Sequence, residues 1–206
     1  MSKTKPFEES SVEYDNWYVE NQFIYLSELN AIKSLIPQKK KGIEIGIGTG
    51  RFALPLGIEV GVEPSRMMAD IARERGIHVL EGVAEQLPVK SDTFDYALMV
   101  TADCFFDDVQ AAFKEAYRIL KNDGFLIVAF IDKESNLGQY YEKYKRGNKF
   151  YKDATFHSVS EVTGFLKQAG FRSFDYNQTV YGTENIMYDV KNGYGSGGFV
   201  VVKAAK

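Results

Sequence analysis

Gly42-Ile43-Glu44-Ile45-Gly46-Ile47-Gly48-Thr49-Gly50-Arg51 is the stretch on which the reading of this chain turns. A short apolar strand, residues 42–47, runs into three glycines at alternate positions and then into a helical stub at residues 51–56. Glycine lets the backbone turn tightly and lets a ligand touch the main chain. At a strand end in an α/β sheet this is where nucleotides bind. Two details refine the pattern. A dinucleotide fingerprint requires Gly or Ala where this chain has Arg51, because a helix must pack closely on the strand there. Glu44 stands two residues before the first glycine, where a carboxylate would repel a pyrophosphate but suit a ligand carrying an ammonium and a sulfonium. An NAD-linked oxidoreductase predicts Gly at Arg51 and no acid at Glu44, and fails both.

Outward from the loop, strands and helical patterns alternate, the signature of an α/β sheet with helices on its faces. Residues 10–35 read as one or two helices, with Leu26, Leu29, Ile32, Leu35 and Ile36 at helical spacing and Pro37 stopping the run. Residues 58–62 form a second strand ending at Glu63. Ser65 is an N-cap for a helix to Arg75, closed by Gly76. Residues 77–80 and 94–100 are the third and fourth strands, the latter apolar enough to be buried on both faces. Asp107 or Asp108 caps a helix to Leu120, Asn122-Asp123-Gly124 is a turn, and residues 125–131 are a fifth buried strand. Residues 135–155 resist assignment. Ser158 and Glu161 form a capping box for a helix ended by Gly170. Residues 171–181 and 198–203 are two last strands placed to pair antiparallel.

The chain has 206 residues, enough for one compact domain, with 45% hydrophobic and 26% charged residues, which argues against wholesale disorder and fibrous structure. A formal net charge of −3 disfavours a globally basic nucleic-acid binder. The single cysteine, Cys104, permits no intramolecular disulfide and fits a reducing compartment. The polar N-terminus argues against a secretory signal, and the longest apolar run, seven residues at 125–131, falls far short of the about 20 that span a membrane. A cytoplasmic protein with no metal site is the expectation.

Glu63 gives the second functional signal. A carboxylate at the end of the second strand accepts hydrogen bonds from both hydroxyls of a ribose. Residues 43–51, Gly61-Val62-Glu63-Pro64-Ser65, and residues 81–88, 94–100 and 117–125 occur in the order seen in class I S-adenosylmethionine-dependent methyltransferases. The chain resembles most closely their small-molecule branch, the ubiquinone/menaquinone-biosynthesis-like type 11 enzymes. Tyr14-Asp15-Asn16-Trp17-Tyr18 also resembles that branch's N-terminal lid motif. The resemblance implies a single domain with a Rossmann-like, seven-stranded, mostly parallel sheet, an antiparallel last strand and helices on both faces. Its parts would be a helical lid (residues 1–37), a cofactor-binding half (42–131) and a substrate-side half (132–206).

Carried over by motif, the resemblance implies S-adenosylmethionine as cofactor and S-adenosylhomocysteine as product. Gly46, Gly48 and Gly50 would hold the methionine part, Glu44 would organise its amino group, and Glu63, followed by Pro64, would take the ribose. Met68 would pack on the adenine, although ordinary core packing explains it equally well. Ala84 and Glu85 would lie at the adenine edge, where relatives often carry Asp in place of Val83. A backbone carbonyl or Glu85 would then have to accept the adenine amino group. Thr101 is the expected contact after the fourth strand, and Tyr14 and Trp17 contribute from the lid. The short link from Gly50 to Ile58, shortened further by Pro55, implies a weaker helix N-terminus at the loop.

Methyl transfer requires alignment more than covalent chemistry, so no catalytic residue is mandatory; Asp103 and His157 are the candidates for one. Tyr140, Tyr141, Tyr144, Phe150, Tyr151 and Phe156 crowd the variable region, and with Tyr14, Trp17 and Tyr18 they would form an aromatic lid suited to a small amine. Aromatics also glue helices to sheets, and the basic run Lys143, Lys145, Arg146 and Lys149 reads as a solvated face. The expected function is methyl transfer to N or O of a small-molecule acceptor, with no nucleic-acid or membrane partner and an oligomeric state left open. A non-catalytic S-adenosylmethionine-binding protein is the alternative.

Overall fold

A computed structural model of the chain describes residues 2–36 and 40–206; Pro37, read as the stop of the N-terminal helical run, lies outside the described residues. Eight strands form one sheet: β1 (Gly42–Ile45), β2 (Val60–Glu63), β3 (His78–Glu81), β4 (Phe94–Val100), β5 (Leu120–Ile131), β6 (Arg172–Thr179), β7 (Lys191–Asn192) and β8 (Phe199–Ala205). Their order is β3-β2-β1-β4-β5-β8-β6-β7. The first five pair in parallel, and β8 enters antiparallel beside β5, followed by β6 and β7, also antiparallel. The eighth strand is the two-residue β7, too short to leave a periodic signal in the sequence.

Burial follows the two-residue period of a strand. On β5, Leu126, Val128 and Phe130 face α6 (Val109–Ile119) and α8 (Val159–Ala169), joining Phe113, Ile119, Val162 and Leu166 in one core. Phe125, Ile127 and Ala129 face the other side, with Leu29 and Ile32 of α3 (Gln22–Lys33) and Ala69 and Ala72 of α5 (Arg66–Glu74). Both layers are therefore dry, which is why residues 125–131 read as an uninterrupted apolar run.

Local signals set the helix starts. The side chains of Ser65, Asp108 and Ser135 each accept a backbone N–H at the start of α5, of α6 and of α7 (Asn136–Tyr144). Ser158 and Glu161 form a reciprocal capping box on α8, and Gly170 closes that helix in the left-handed conformation. The expected turn at Asn122-Asp123-Gly124 lies inside β5 instead. Pairing with β4 jumps from Phe94↔Leu120 to Tyr96↔Phe125, so residues 121–124 bulge from a continuous strand. The run read at residues 10–35 is two helices, α2 (Ser11–Glu20) and α3, preceded by α1 (Lys5–Glu9). The link after the glycine loop holds only the four-residue α4 (Ala53–Leu56).

Candidate functional site

The glycine loop leaves β1 beside β4, where the sheet order reverses, and opens on a cavity of about 370 Å³. Gly46 and Gly48 hold φ values of 71° and 55°, a region closed to most side chains. A Cβ on Gly46 would lie 2.8 Å from Ala102 Cβ, so this glycine is needed for both its conformation and its space. Gly50 serves the frame: it does not line the cavity, and a Cβ there would meet Ile77 Cδ1 at 2.5 Å.

Two buried carboxylates face this cavity. Glu63 Oε2 accepts from Gly48 N at 2.8 Å and Glu63 Oε1 from Ser65 N at 3.0 Å, which fixes the carboxylate plane and ties the ends of β1 and β2 together. Burial raises its carboxyl to about 7 against the pull of these two amides. Glu44 is 2% exposed, and its Oε2 has no hydrogen-bond partner among the described residues. Burial pushes its carboxyl well above the ordinary value. An orphaned buried acceptor is costly unless a ligand donates to it.

Pro64, Met68, Ala84, Glu85, Thr101 and Tyr14 also line the cavity; Trp17 does not, and faces a second one. Glu85 Oε1 is engaged, accepting from Asp107 N at 2.8 Å and Asp108 N at 3.2 Å, so only its second oxygen remains for the edge near Val83. Thr101 has φ 47°. A β-branched residue in that region is strained, and such strain collects at functional sites.

The N-terminal segment supplies one wall of the cavity. Lys3, Thr4 and Phe7 line the cavity. Lys3 Nζ donates to Phe106 O at 2.9 Å, while Glu8 Oε2 accepts from Ser65 Oγ at 2.5 Å and Met67 N at 3.2 Å. Behind it, α2 is clamped to the glycine loop through Asp15. Arg51 Nε donates to Asp15 Oδ1 at 2.8 Å, Arg75 Nη2 to Oδ2 at 2.7 Å and Thr49 Oγ1 to Oδ1 at 2.6 Å. Burial alone would raise the Asp15 carboxyl, but hydrogen bonds from Arg75, Arg51 and Thr49 outweigh it and hold it well below the usual carboxylate range. Arg51, which marked the departure from a dinucleotide fingerprint, thus holds α2 to the glycine loop.

Asp103 and His157 are brought together, but not to the cavity. His157 Nδ1 lies 3.0 Å from Asp103 Oδ2, both side chains are buried, and neither lines either of the two large cavities. The pair ties the loop after β4 to the start of α8. The aromatic segments do meet: Tyr14 and Phe150 ring centroids are 5.3 Å apart. The second cavity, about 470 Å³, shares Tyr14, Tyr18 and Thr101 with the first. Among the described residues no three His, Cys, Asp or Glu side chains form a metal-binding group, and no helix is long and apolar enough to cross a membrane.

Comparison with known proteins places this geometry. The methyltransferase domain family matches residues 43–128. A crystal structure from Thermotoga maritima, described as a SAM-dependent methyltransferase and possible histamine N-methyltransferase, is 50% identical, covers 98% of this chain and 99% of that one, and superposes with a TM-score of 0.96. An uncharacterised protein of Methanocaldococcus jannaschii is 45% identical over 97% of this chain and 98% of its own length. One from Mycobacterium tuberculosis is 34% identical over 93% of this chain and 70% of its own.

Proposed function

We propose that this chain, which belongs to the class I S-adenosylmethionine-dependent methyltransferases of the type 11 branch, methylates nitrogen or oxygen of a small-molecule acceptor in the cytoplasm as a single-domain enzyme. The observation that carries the reading is the pair of buried carboxylates on either side of one glycine loop, one fixed by backbone amides and one with an orphaned oxygen. Membership of the family implies S-adenosylmethionine as cofactor, and the residues fit it. Glu44 answers the ammonium of the methionine part, and Gly46 and Gly48 leave the backbone open to it. Glu63 accepts from the ribose hydroxyls. Met68 and Ala84 supply apolar contact for adenine, with Glu85 Oε2 or a backbone carbonyl taking its amino group. Bound there, the cofactor supplies a methyl group already activated on a sulfonium.

The chain's own work is then to orient and to exclude water. Tyr14, Tyr18 and Thr101 border both cavities, so this is where an acceptor atom would approach the cofactor. Trp17 contributes on the acceptor side of that border. Asp103 and His157, which line neither large cavity, act as a brace between the loop after β4 and the start of α8. Asp103→Ala is expected to lower stability by about 1–3 kcal/mol, because it leaves a buried imidazole nitrogen unpaired. Cofactor affinity by calorimetry should stay within about twofold; a tenfold change would return the pair to the site.

Calorimetry with S-adenosylmethionine, S-adenosylhomocysteine and NAD, followed by a tritiated-methyl assay over amines and phenols, tests the reading. Histamine comes first because of the Thermotoga maritima protein. Tight binding of the first two ligands, none of NAD, and transfer to at least one acceptor are expected. Binding without transfer to any acceptor would favour a non-catalytic role.

A further inference from the structure

The second cavity has charged lining of a single sign. Glu13, Glu20 and Glu28 face it, with no lysine, arginine or histidine. Glu13 pairs with Lys149 at 2.5 Å on the outside, and Glu20 is exposed. Glu28 is in a different situation. It projects from α3, whose Leu29 and Ile32 sit in the core, and is only 9% exposed. No hydrogen bond or ion pair reaches its carboxylate from any described residue. The other titratable groups around the cavity are tyrosines: Tyr14, Tyr18, Tyr140, Tyr141 and Tyr151. Val180, also on the lining, holds φ 59°, so like Thr101 it is a β-branched residue kept in a strained conformation there.

A buried carboxylate without a partner is expensive. The fold draws no visible benefit from this one, since α3 would dock as well with an apolar residue at that position. A cation entering the cavity would supply the missing partner, and the aromatic faces around it attract cations further. An anionic guest would meet acidic side chains and no cation on the lining. We propose that this cavity receives the methyl acceptor and that Glu28 selects for acceptors carrying a protonatable amine, by pairing with the ammonium. The inference rests on the reading above that the adjoining cavity holds the cofactor.

The proton balance gives a distinctive readout. Burial raises the Glu28 carboxyl to about 8, so near pH 7 the empty pocket holds it mostly protonated. Bringing an ammonium to it forms an ion pair and releases the carboxyl proton. A neutral amine beside a neutral acid has the same net charge, so either arrangement releases about one proton per amine bound. An alcohol of the same shape releases none.

The test titrates the full chain, saturated with S-adenosylhomocysteine, with phenethylamine, tyramine and 1,4-diaminobutane, each against its alcohol counterpart, in two buffers of different ionisation enthalpy. At least one amine is expected to bind tenfold or more tighter than its alcohol and to release close to one proton at pH 7. Glu28→Gln should bring the two within about twofold and abolish proton release, with S-adenosylhomocysteine affinity unchanged. Glu28→Leu should also lose the preference while melting higher than the parent, because it removes a buried carboxyl. If S-adenosylhomocysteine binds but no amine outperforms its alcohol, or the preference survives in Glu28→Gln, the proposal is overturned. If S-adenosylhomocysteine itself fails to bind, the cofactor reading falls, and this proposal with it.

Discussion

Glu63→Gln is expected to weaken S-adenosylmethionine binding by roughly a hundredfold or more. In the parent protein one carboxylate oxygen accepts from Gly48 N and the other from Ser65 N, while the remaining lone pairs are available to a ribose diol. Glutamine has one acceptor oxygen and one NH2 group. Whichever way the amide turns, its NH2 faces a backbone N–H, and one diol hydroxyl loses its acceptor. Two charge-assisted hydrogen bonds at about 1.5–3 kcal/mol each give a loss of about 3–6 kcal/mol, or roughly 10²–10⁴ in affinity. Calorimetry measures this directly, and a loss under fivefold would remove Glu63 from the cofactor site.

The same carboxyl sets a pH dependence. Its folded-state value of about 7 lies above the ordinary carboxylate range, so below pH 7 it must shed a proton before it can accept from both hydroxyls. Affinity should therefore fall by about tenfold between pH 8 and pH 6. The linkage to stability has the opposite direction: a raised carboxyl favours the unliganded fold at low pH, and that contribution declines as pH rises through 7.

Asp15→Ala should release the lid. Arg51, Arg75 and Thr49 all converge on this one carboxylate, and removing it leaves two guanidinium groups facing each other in a half-buried space. Breaking such a cluster costs about 2–4 kcal/mol when the cations keep some access to water, which lowers the melting temperature by roughly 5–10 °C for a chain of this size. Cofactor affinity should drop about tenfold, because Tyr14 and Tyr18 lose their anchorage and Thr49 its outer support. Unchanged affinity in a folded variant would show that the lid is not part of the site. Since the Asp15 carboxyl is depressed, the clamp's contribution is complete above the unfolded carboxylate value of about 4 and is lost only as pH falls toward the folded value. The lid should stay docked through mildly acidic conditions.

The alternation of strands and helices, the glycine loop and the acids Glu44 and Glu63 were legible in the chain because each is a local event. A strand end, a turn requiring left-handed backbone and a carboxylate at fixed spacing are all encoded within a few residues. The caps at Ser65, Asp108 and Ser158 were legible for the same reason. The bulge at residues 121–124 was not, since Asn-Asp-Gly has turn chemistry whether or not the ladder runs through it. Residues 135–155 carry aromatic side chains without a period, so only packing decides that their first half is a helix.

The remaining features depend on residues far apart in sequence. Arg51 signalled only that the loop was not a dinucleotide fingerprint; the fold alone brings Asp15 and Arg75 to it. Asp103 and His157, separate candidates 54 residues apart in the chain, are brought within hydrogen-bond distance of each other only by the fold. Lys3, Thr4 and Phe7, in a segment with no apolar pattern, become a cavity wall because Glu8 caps α5. Glu28, one acid among 28 acidic residues, gave no sign of burial, because the helical stripe around it predicts a face and not the depth of each position on it. Composition and short-range spacing thus determined the alternating α/β frame and the acids beside its glycine loop, while the clamp on Asp15, the Asp103–His157 pair and the second cavity were decided by tertiary packing, where charge, burial and distance combine only after the chain has closed on itself.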